Sequence, residues 1–319
     1  MKENKTYIEM FRDRAKGSMY GVAVGDALGA PLEFMSQEDI IAKHGMLRVN
    51  KMLGGGWLNL EPGMTTDDTD MTLAVAEGIM KRYHRHSIDD VVEKVGEGFI
   101  AWHHSRPKDI GHTCRVVIEA AEMNITKNEM KPSSAWRFCS EMYDIKNNHM
   151  SGGNGALMRT VPVGIAYSDW NETMMVARAI AQMTHWDGAA AVMVGDYSRV
   201  INRLVRGADF GEIDRLRLKY GASTKSTGYS FDSLGCALWA TLGAIGAEDF
   251  EESLVRVVNL GGDADTAGAI TGGLVGAASG FDAIPERWVK ALPKPITQRI
   301  DAFVDWAVRK ETERCQKEK

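Results

Sequence analysis

Cysteine is scarce and dispersed: Cys114, Cys139, Cys236 and Cys315 are the four in 319 residues, and no C-x-x-C occurs. That spacing argues against a disulfide framework or a zinc–thiolate site and fits a reducing cytoplasm. Blocks of Lys or Arg are missing as well, and the formal net charge is -5. No nucleic-acid partner is expected from such a chain. A phosphate-bearing ligand would have to be met locally, by metal ions, helix N-termini and backbone N–H groups. Long apolar runs are lacking too. The longest uncharged stretch, Thr266 to Phe281, is short and Gly-rich for a bilayer span. Met1 to Arg14 is charged throughout and lacks the apolar core of a signal peptide, so neither targeting nor a membrane is expected. Linkers rich in Pro and Ser, solenoid repeats and period-2 strands with hairpin turns are also missing.

What remains is helical periodicity almost everywhere, in a composition of 44% hydrophobic and 25% charged residues. The spacing predicts helices including Arg14 to Ala30, Asp68 to Tyr83, Ile88 to His104, Ala156 to Tyr167, Glu172 to His185, Ser233 to Ile245 and Thr266 to Ser279. An all-α fold is expected, with residues 1–319 forming a single compact multi-helix domain. Two of these segments carry glycine at every fourth position: Gly17, Gly21, Gly25 and Gly29 in one, Gly268, Gly272, Gly276 and Gly280 in the other. Each Gly costs a helix interior about 1 kcal/mol relative to Ala. Four in register imply a ridge where another backbone approaches closely, so both helices are expected to be central and tightly packed.

Two acidic clusters lie far apart in the chain: Thr65-Thr66-Asp67-Asp68-Thr69-Asp70 and Gly261-Gly262-Asp263-Ala264-Asp265-Thr266. Each opens a predicted helix, and Thr and Asp are favoured there as caps and by the helix dipole. The alternative is that both converge on a divalent cation such as Mg2+, whose ligands are hard oxygens. Four carboxylates within about 4 Å of one another would repel by roughly 4 kcal/mol per pair at an effective dielectric near 20, so convergence would require cations.

Other segments are weaker signals. Ser151-Gly152-Gly153-Asn154-Gly155-Ala156-Leu157-Met158-Arg159 is a Gly-rich loop running into a predicted helix. It could present N–H groups to an anion, but it is neither a Walker A loop nor a dinucleotide fingerprint, and a flexible turn is the plain alternative. Asp26, Glu33 and Asp109 are candidate acids, bases or supporting carboxylates; isolated carboxylates are usually solvated surface charges. His185 should close a helix, where a cationic cap is the alternative role. Tyr229 could stack on a base, or simply pack at a rim. The pairs His103-His104 and His84/His86 have no H-E-x-x-H or Cys partner, so zinc is not indicated.

Taken in chain order, Gly25-Asp26-Ala27-Leu28-Gly29-Ala30-Pro31-Leu32-Glu33-Phe34, Thr66-Asp67-Asp68-Thr69, Asp109-Ile110-Gly111, Gly153-Asn154-Gly155-Ala156-Leu157-Met158-Arg159, Thr184-His185 and Val258-Asn259-Leu260-Gly261-Gly262-Asp263-Ala264-Asp265-Thr266 resemble the ADP-ribosylglycohydrolase family. The landmarks run from about Gly17 to Leu292. The resemblance implies an all-α fold with a cleft holding two Mg2+ ions, with Mn2+ as a substitute. It implies Thr66, Asp67, Asp68, Asp263, Asp265 and Thr266 as metal ligands. Gly152, Gly153, Asn154 and Gly155 would hold phosphates, with His185 nearby, and Glu33 and Asp109 at the catalytic edge. The implied activity is hydrolysis of ADP-ribose from a modified protein side chain, most often arginine, by a monomer releasing ADP-ribose. Another ADP-ribose linkage, a small-molecule substrate, or a catalytically silent crystallin-like role are the alternatives.

Overall fold

The computed structural model describes residues 5–45, 48–82, 87–243 and 249–317; His84 and His86 lie outside them. Among the described residues there are fifteen α-helices and three short 3-10 turns, with no strand beyond two isolated bridges. The all-α expectation holds. No described helix is long and apolar enough to cross a membrane.

The first helix, Tyr7–Gly29, starts about two turns earlier than its apolar period suggests, because a capping box of Thr6 and Glu9 initiates it in polar sequence. It packs against the helix Ala264–Ser279, and the two glycine ridges face each other directly. A Cβ on Gly21 would overlap the Gly272 carbonyl, one on Gly25 the Gly268 carbonyl, one on Gly29 the Ala264 carbonyl, and one on Gly17 would reach Gly276 and Gly280. The order is antiparallel. Gly280 meets Gly17 from just past the helix end, which it closes at φ 84°, a left-handed conformation suited to glycine. Both helices are buried along most of their length, with Met19, Val22, Leu28, Ile270 and Leu274 in the surrounding core.

Elsewhere the boundaries move for local reasons. Ala156 to Tyr167 is not one helix: a 3-10 turn, Asn154–Ala156, precedes a short helix, Val161–Ala166, which Pro162 in its first turn fixes at that point. The helix Trp170–Gln182 stops short of His185. The helices Gln37–His44, Pro132–Lys146 and Gly211–Tyr220 had no clear apolar period to announce them.

Candidate active site

Thr66 is the N-cap residue of the helix Asp67–Lys81, and Asp263 that of Ala264–Ser279, yet neither side chain makes a capping hydrogen bond. Asp26 performs that duty from the first helix. Its carboxylate accepts from the Thr66 N–H (3.0 Å), the Thr66 hydroxyl (3.0 Å), the Thr69 N–H (3.1 Å) and the Thr69 hydroxyl (2.5 Å). Far from being a solvated charge, Asp26 is fully buried, and burial pushes its carboxyl up to about 7. This brace leaves the side chains of Asp67 and Asp68 free of capping.

The two acidic clusters meet at the end of the glycine seam. The Thr266 hydroxyl donates to Asp68 Oδ2 at 3.2 Å across 198 residues of sequence. Glu33, Asp263 and Asp265 bring carboxylate oxygens within 4.8 Å of one another, and the Gly111 N–H donates to Asp67 Oδ2 at 3.3 Å, seating the loop that carries Asp109. Burial first, and then neighbouring carboxylates, hold Asp67, Asp68 and Asp265 protonated well above the usual carboxylate range. Glu33 is pushed up to about 7 by burial, and Asp109 is raised by burial and by Asp263. Asp68 Oδ1 is buried with no hydrogen-bond partner.

That orphaned oxygen tests whether the residues fit a metal. The donors are all carboxylates and hydroxyls; Asp67, Asp263, Asp265 and Thr266 line a cleft of about 380 Å³, and among the described residues no Lys or Arg lines it. A hard divalent cation satisfies both the repulsion and the unpaired oxygen, so the set fits Mg2+.

On the opposite wall the Gly-rich loop is held by its neighbours. Asn154 spends its amide protons on Asp263 Oδ2 (2.7 Å) and Ser233 Oγ (2.9 Å), and its backbone N–H donates to the Gly228 carbonyl (2.9 Å). It therefore orients a carboxylate of the second cluster, a role its sequence did not suggest. A Cβ on Gly153 or Gly155 would stand 3.0 Å from the His185 ring, and one on Gly152 would stand 2.8 Å from the Tyr229 ring. Tyr229 lies beside Gly152, outside the cleft lining, half-exposed and stacked on Phe231 with ring centroids 5.3 Å apart.

His185 lines the cleft rather than capping a helix. Its Nδ1 is 2.8 Å from the Thr184 hydroxyl, which accepts from Arg159 Nη2 at 2.8 Å. Burial, then the Arg159 charge, push the imidazole down to about 3, so it is neutral, not a cation. Arg159 had no role assigned from sequence beyond its place in the Gly-rich motif. It is wholly buried, donates to the Ile180 carbonyl (2.8 Å) and lies 4.8 Å over the Phe99 ring. A lone Arg amid Ala156-Leu157-Met158 and Val161-Pro162-Val163 was the available signal. Away from these groups, His104 pairs with Glu122 at 2.9 Å and His103 with Glu119 at 3.3 Å, partners that sequence distance concealed.

The model of the ADP-ribosylglycohydrolase family matches residues 8–317. The chain belongs to the ADP-ribosylglycohydrolase family. It is 33% identical over 307 residues to the ADP-ribosyl-[dinitrogen reductase] glycohydrolase of Rhodospirillum rubrum, covering 92% of this chain and 95% of that protein. To an ADP-ribosylarginine hydrolase of Serratia proteamaculans it is 28% identical over 305 residues, covering 88% of this chain and 75% of the relative. A solved structure described as an ADP-ribosylglycohydrolase-related protein complex superposes with a TM-score of 0.73 at 29% identity, over 94% of this chain and 98% of that one. Membership makes the chain a glycosidic-bond hydrolase.

Proposed function

We propose that this family member removes ADP-ribose from a modified protein side chain, with arginine as the linked residue, and that it depends on Mg2+. The carrying observation is the meeting of two acidic helix starts whose N-cap side chains make no capping hydrogen bond, with Asp68 Oδ1 left buried and unpaired. Thr66, Asp67, Asp68, Asp263, Asp265 and Thr266 would hold two Mg2+ ions. Bound there, the metal supplies Lewis-acid polarisation and anchors ribose hydroxyls.

The chain's own groups account for the rest. Hydrolysis breaks the ribose C1–N bond: water adds OH to C1, which passes through an electron-poor, oxocarbenium-like state, and the departing nitrogen gains a proton. Glu33 and Asp109 stand at the open edge with carboxyls raised by burial, so either can hold the proton the leaving group needs. Asp26 and Asn154 keep the two clusters in place. The loop Gly152 to Gly155, with the neutral His185 behind it, receives the pyrophosphate, and Tyr229 offers a ring face to the base. Four cysteines with no disulfide among them support a reducing cytoplasm as the enzyme's compartment. Mass spectrometry of products from arginine-linked, serine-linked and free ADP-ribose substrates, with and without Mg2+, tests this. Release of ADP-ribose from the arginine conjugate without any divalent ion would refute the metal requirement, and no release at all would refute the activity.

A further inference from the structure

Two large aromatics at the mouth of the cleft serve no packing purpose. Phe34 is 70% exposed and Trp57 54% exposed, yet their rings pair with centroids 5.5 Å apart and both line the cavity beside Glu33. They are also held firmly. Phe34 keeps a left-handed backbone, φ 61°, which a bulky residue adopts only when its surroundings impose it; its N–H donates to the Gly262 carbonyl at 2.7 Å, tying it to the second acidic segment. Trp57 comes from a tight turn closed by the bridge between Gly55 and Leu60, and Gly56 before it is seated so close to the end of the first helix that a Cβ would stand 2.8 Å from the Ala30 carbonyl. The Trp57 indole N–H is fixed on Glu33 Oε2 at 2.5 Å. An exposed, fixed aromatic pair is a binding surface in search of a partner.

The charge around it selects the partner. Glu33 and Asp109 border the same mouth, and among the described residues no Lys or Arg lines the cleft. We infer that Phe34 and Trp57 form the subsite for a cationic, planar leaving group, and that they make the enzyme selective for guanidinium-linked ADP-ribose. This rests on the activity proposed above. With pyrophosphate at the Gly153 and His185 wall and ribose over the acidic clusters, the group attached to C1 emerges at the remaining wall, that of Glu33, Phe34 and Trp57. A guanidinium there lays its plane on the indole and donates to Glu33 or Asp109. A serine oxygen brings neither charge nor plane, so it gains nothing from the pair.

The test compares Trp57→Ala, Trp57→Phe and Phe34→Ala with the wild type on ADP-ribosyl-agmatine, measuring KM and kcat separately, and measures ADP-ribose binding by calorimetry in saturating Mg2+. Loss of a cation–π contact predicts a KM raised by about 3- to 30-fold in Trp57→Ala, and by less in Phe34→Ala, with kcat little changed. The Kd for ADP-ribose, which has no leaving group, should stay at the wild-type value. Trp57→Phe keeps a ring face but loses the N–H, so it should recover most of the KM. If Trp57→Phe behaves like Trp57→Ala, the indole merely positions Glu33, and the inference is wrong. Equal losses of ADP-ribose affinity and of KM would also overturn it, as would a wild-type KM in Trp57→Ala. Those outcomes leave the proposed activity standing; a wild type that releases no ADP-ribose from agmatine, while Mg2+ and ADP-ribose still bind, overturns both.

Discussion

The two halves of one helix pair obey opposite rules. Along the seam between Tyr7–Gly29 and Ala264–Ser279, backbone meets backbone at the glycine positions, and the Ser18 hydroxyl beside them donates to the Gly273 carbonyl at 2.8 Å. At the end of the same pair, carboxylates crowd together, their protons are retained against the usual trend, and Asp68 Oδ1 has no partner. Seam and site are coupled, because Gly29 and Ala264 are in contact only a few residues from Asp26, Glu33 and Asp265. A rigid apolar contact holds repelling groups close enough to grip a cation. Stability and function are thus separated along one pair of helices rather than mixed, and substitutions at the two ends should differ in kind.

The largest effect is expected at the acidic end. Asp68→Asn or Asp265→Asn should cut turnover by at least about 100-fold and abolish Mg2+ binding, since each removes a proposed ligand. In EDTA above neutral pH the same variants should melt at or above the wild-type temperature, because a buried carboxyl whose ionisation its neighbours oppose has been removed. Full turnover with unchanged Mg2+ affinity would break the comparison at once.

The seam should respond the other way. Gly21→Leu and Gly272→Leu should destabilise by about 3 kcal/mol or more, measured by denaturant unfolding, because even the first side-chain atom overlaps a carbonyl. Gly272→Ala is the sharper probe. Ala favours a helix by about 1 kcal/mol over Gly, so a destabilised Ala variant isolates the interhelical contact from propensity. A neutral outcome would show that the helices can part there without cost.

A smaller effect links the acidic end to pH. Asp26 and Glu33 are raised to about 7, and Asp67, Asp68 and Asp265 well above ordinary carboxylates. A folded-state pKa above the unfolded value of about 4 means that the native state binds extra protons, so this stability is present at low pH and lost as pH rises towards 7. In EDTA, Tm should therefore rise on going from pH 8 to pH 5.5. Millimolar Mg2+ should raise Tm at pH 8 and flatten or reverse that slope, since it binds the ionised carboxylates of the folded state. Identical Tm profiles with and without the metal would count against the shared site.

The glycine ridges and the acidic clusters were legible in the sequence because each is a local pattern with a physical cost: four helix-breaking residues in register, or carboxylates packed at a helix start. Their partners were not. Nothing local says that Asp26 braces Thr66 and Thr69, that Asn154 turns its amide to Asp263, or that His103 and His104 meet Glu119 and Glu122, since these contacts depend on how helices cross. Helix starts were read late where a cap in polar sequence, such as Thr6, preceded the apolar period. The long helix expected from Ala156 failed because the apolar period there belongs to a buried turn and a separate short helix. Phe34 and Trp57 went unmarked because an aromatic is ordinarily core, and only the structure shows these two exposed.

The smallest expected effect concerns His185, which stands between the two regimes: buried like the seam, yet lining the cleft. Burial and Arg159 hold its imidazole down to about 3, below the ordinary value of 6.5. With the folded pKa depressed, its contribution to stability is fully present above the unfolded pKa and is lost as pH falls from about 6.5 towards 3. That trend opposes the carboxylates, so bulk melting hides it and the ring itself must be observed. The Thr184 hydroxyl accepts from Arg159 and lies 2.8 Å from His185 Nδ1; with its own proton given to Nδ1, the ring proton would sit on Nε2, the atom beside Gly153 and Gly155. Nitrogen NMR should show one neutral ring with its proton on Nε2, and no titration between pH 8 and pH 5. Thr184→Val should mix the tautomers and weaken ADP-ribose binding a few-fold without moving Mg2+ affinity. A His185 that titrates near 6.5 would place it in solvent, and its place on the buried side of the comparison would be lost.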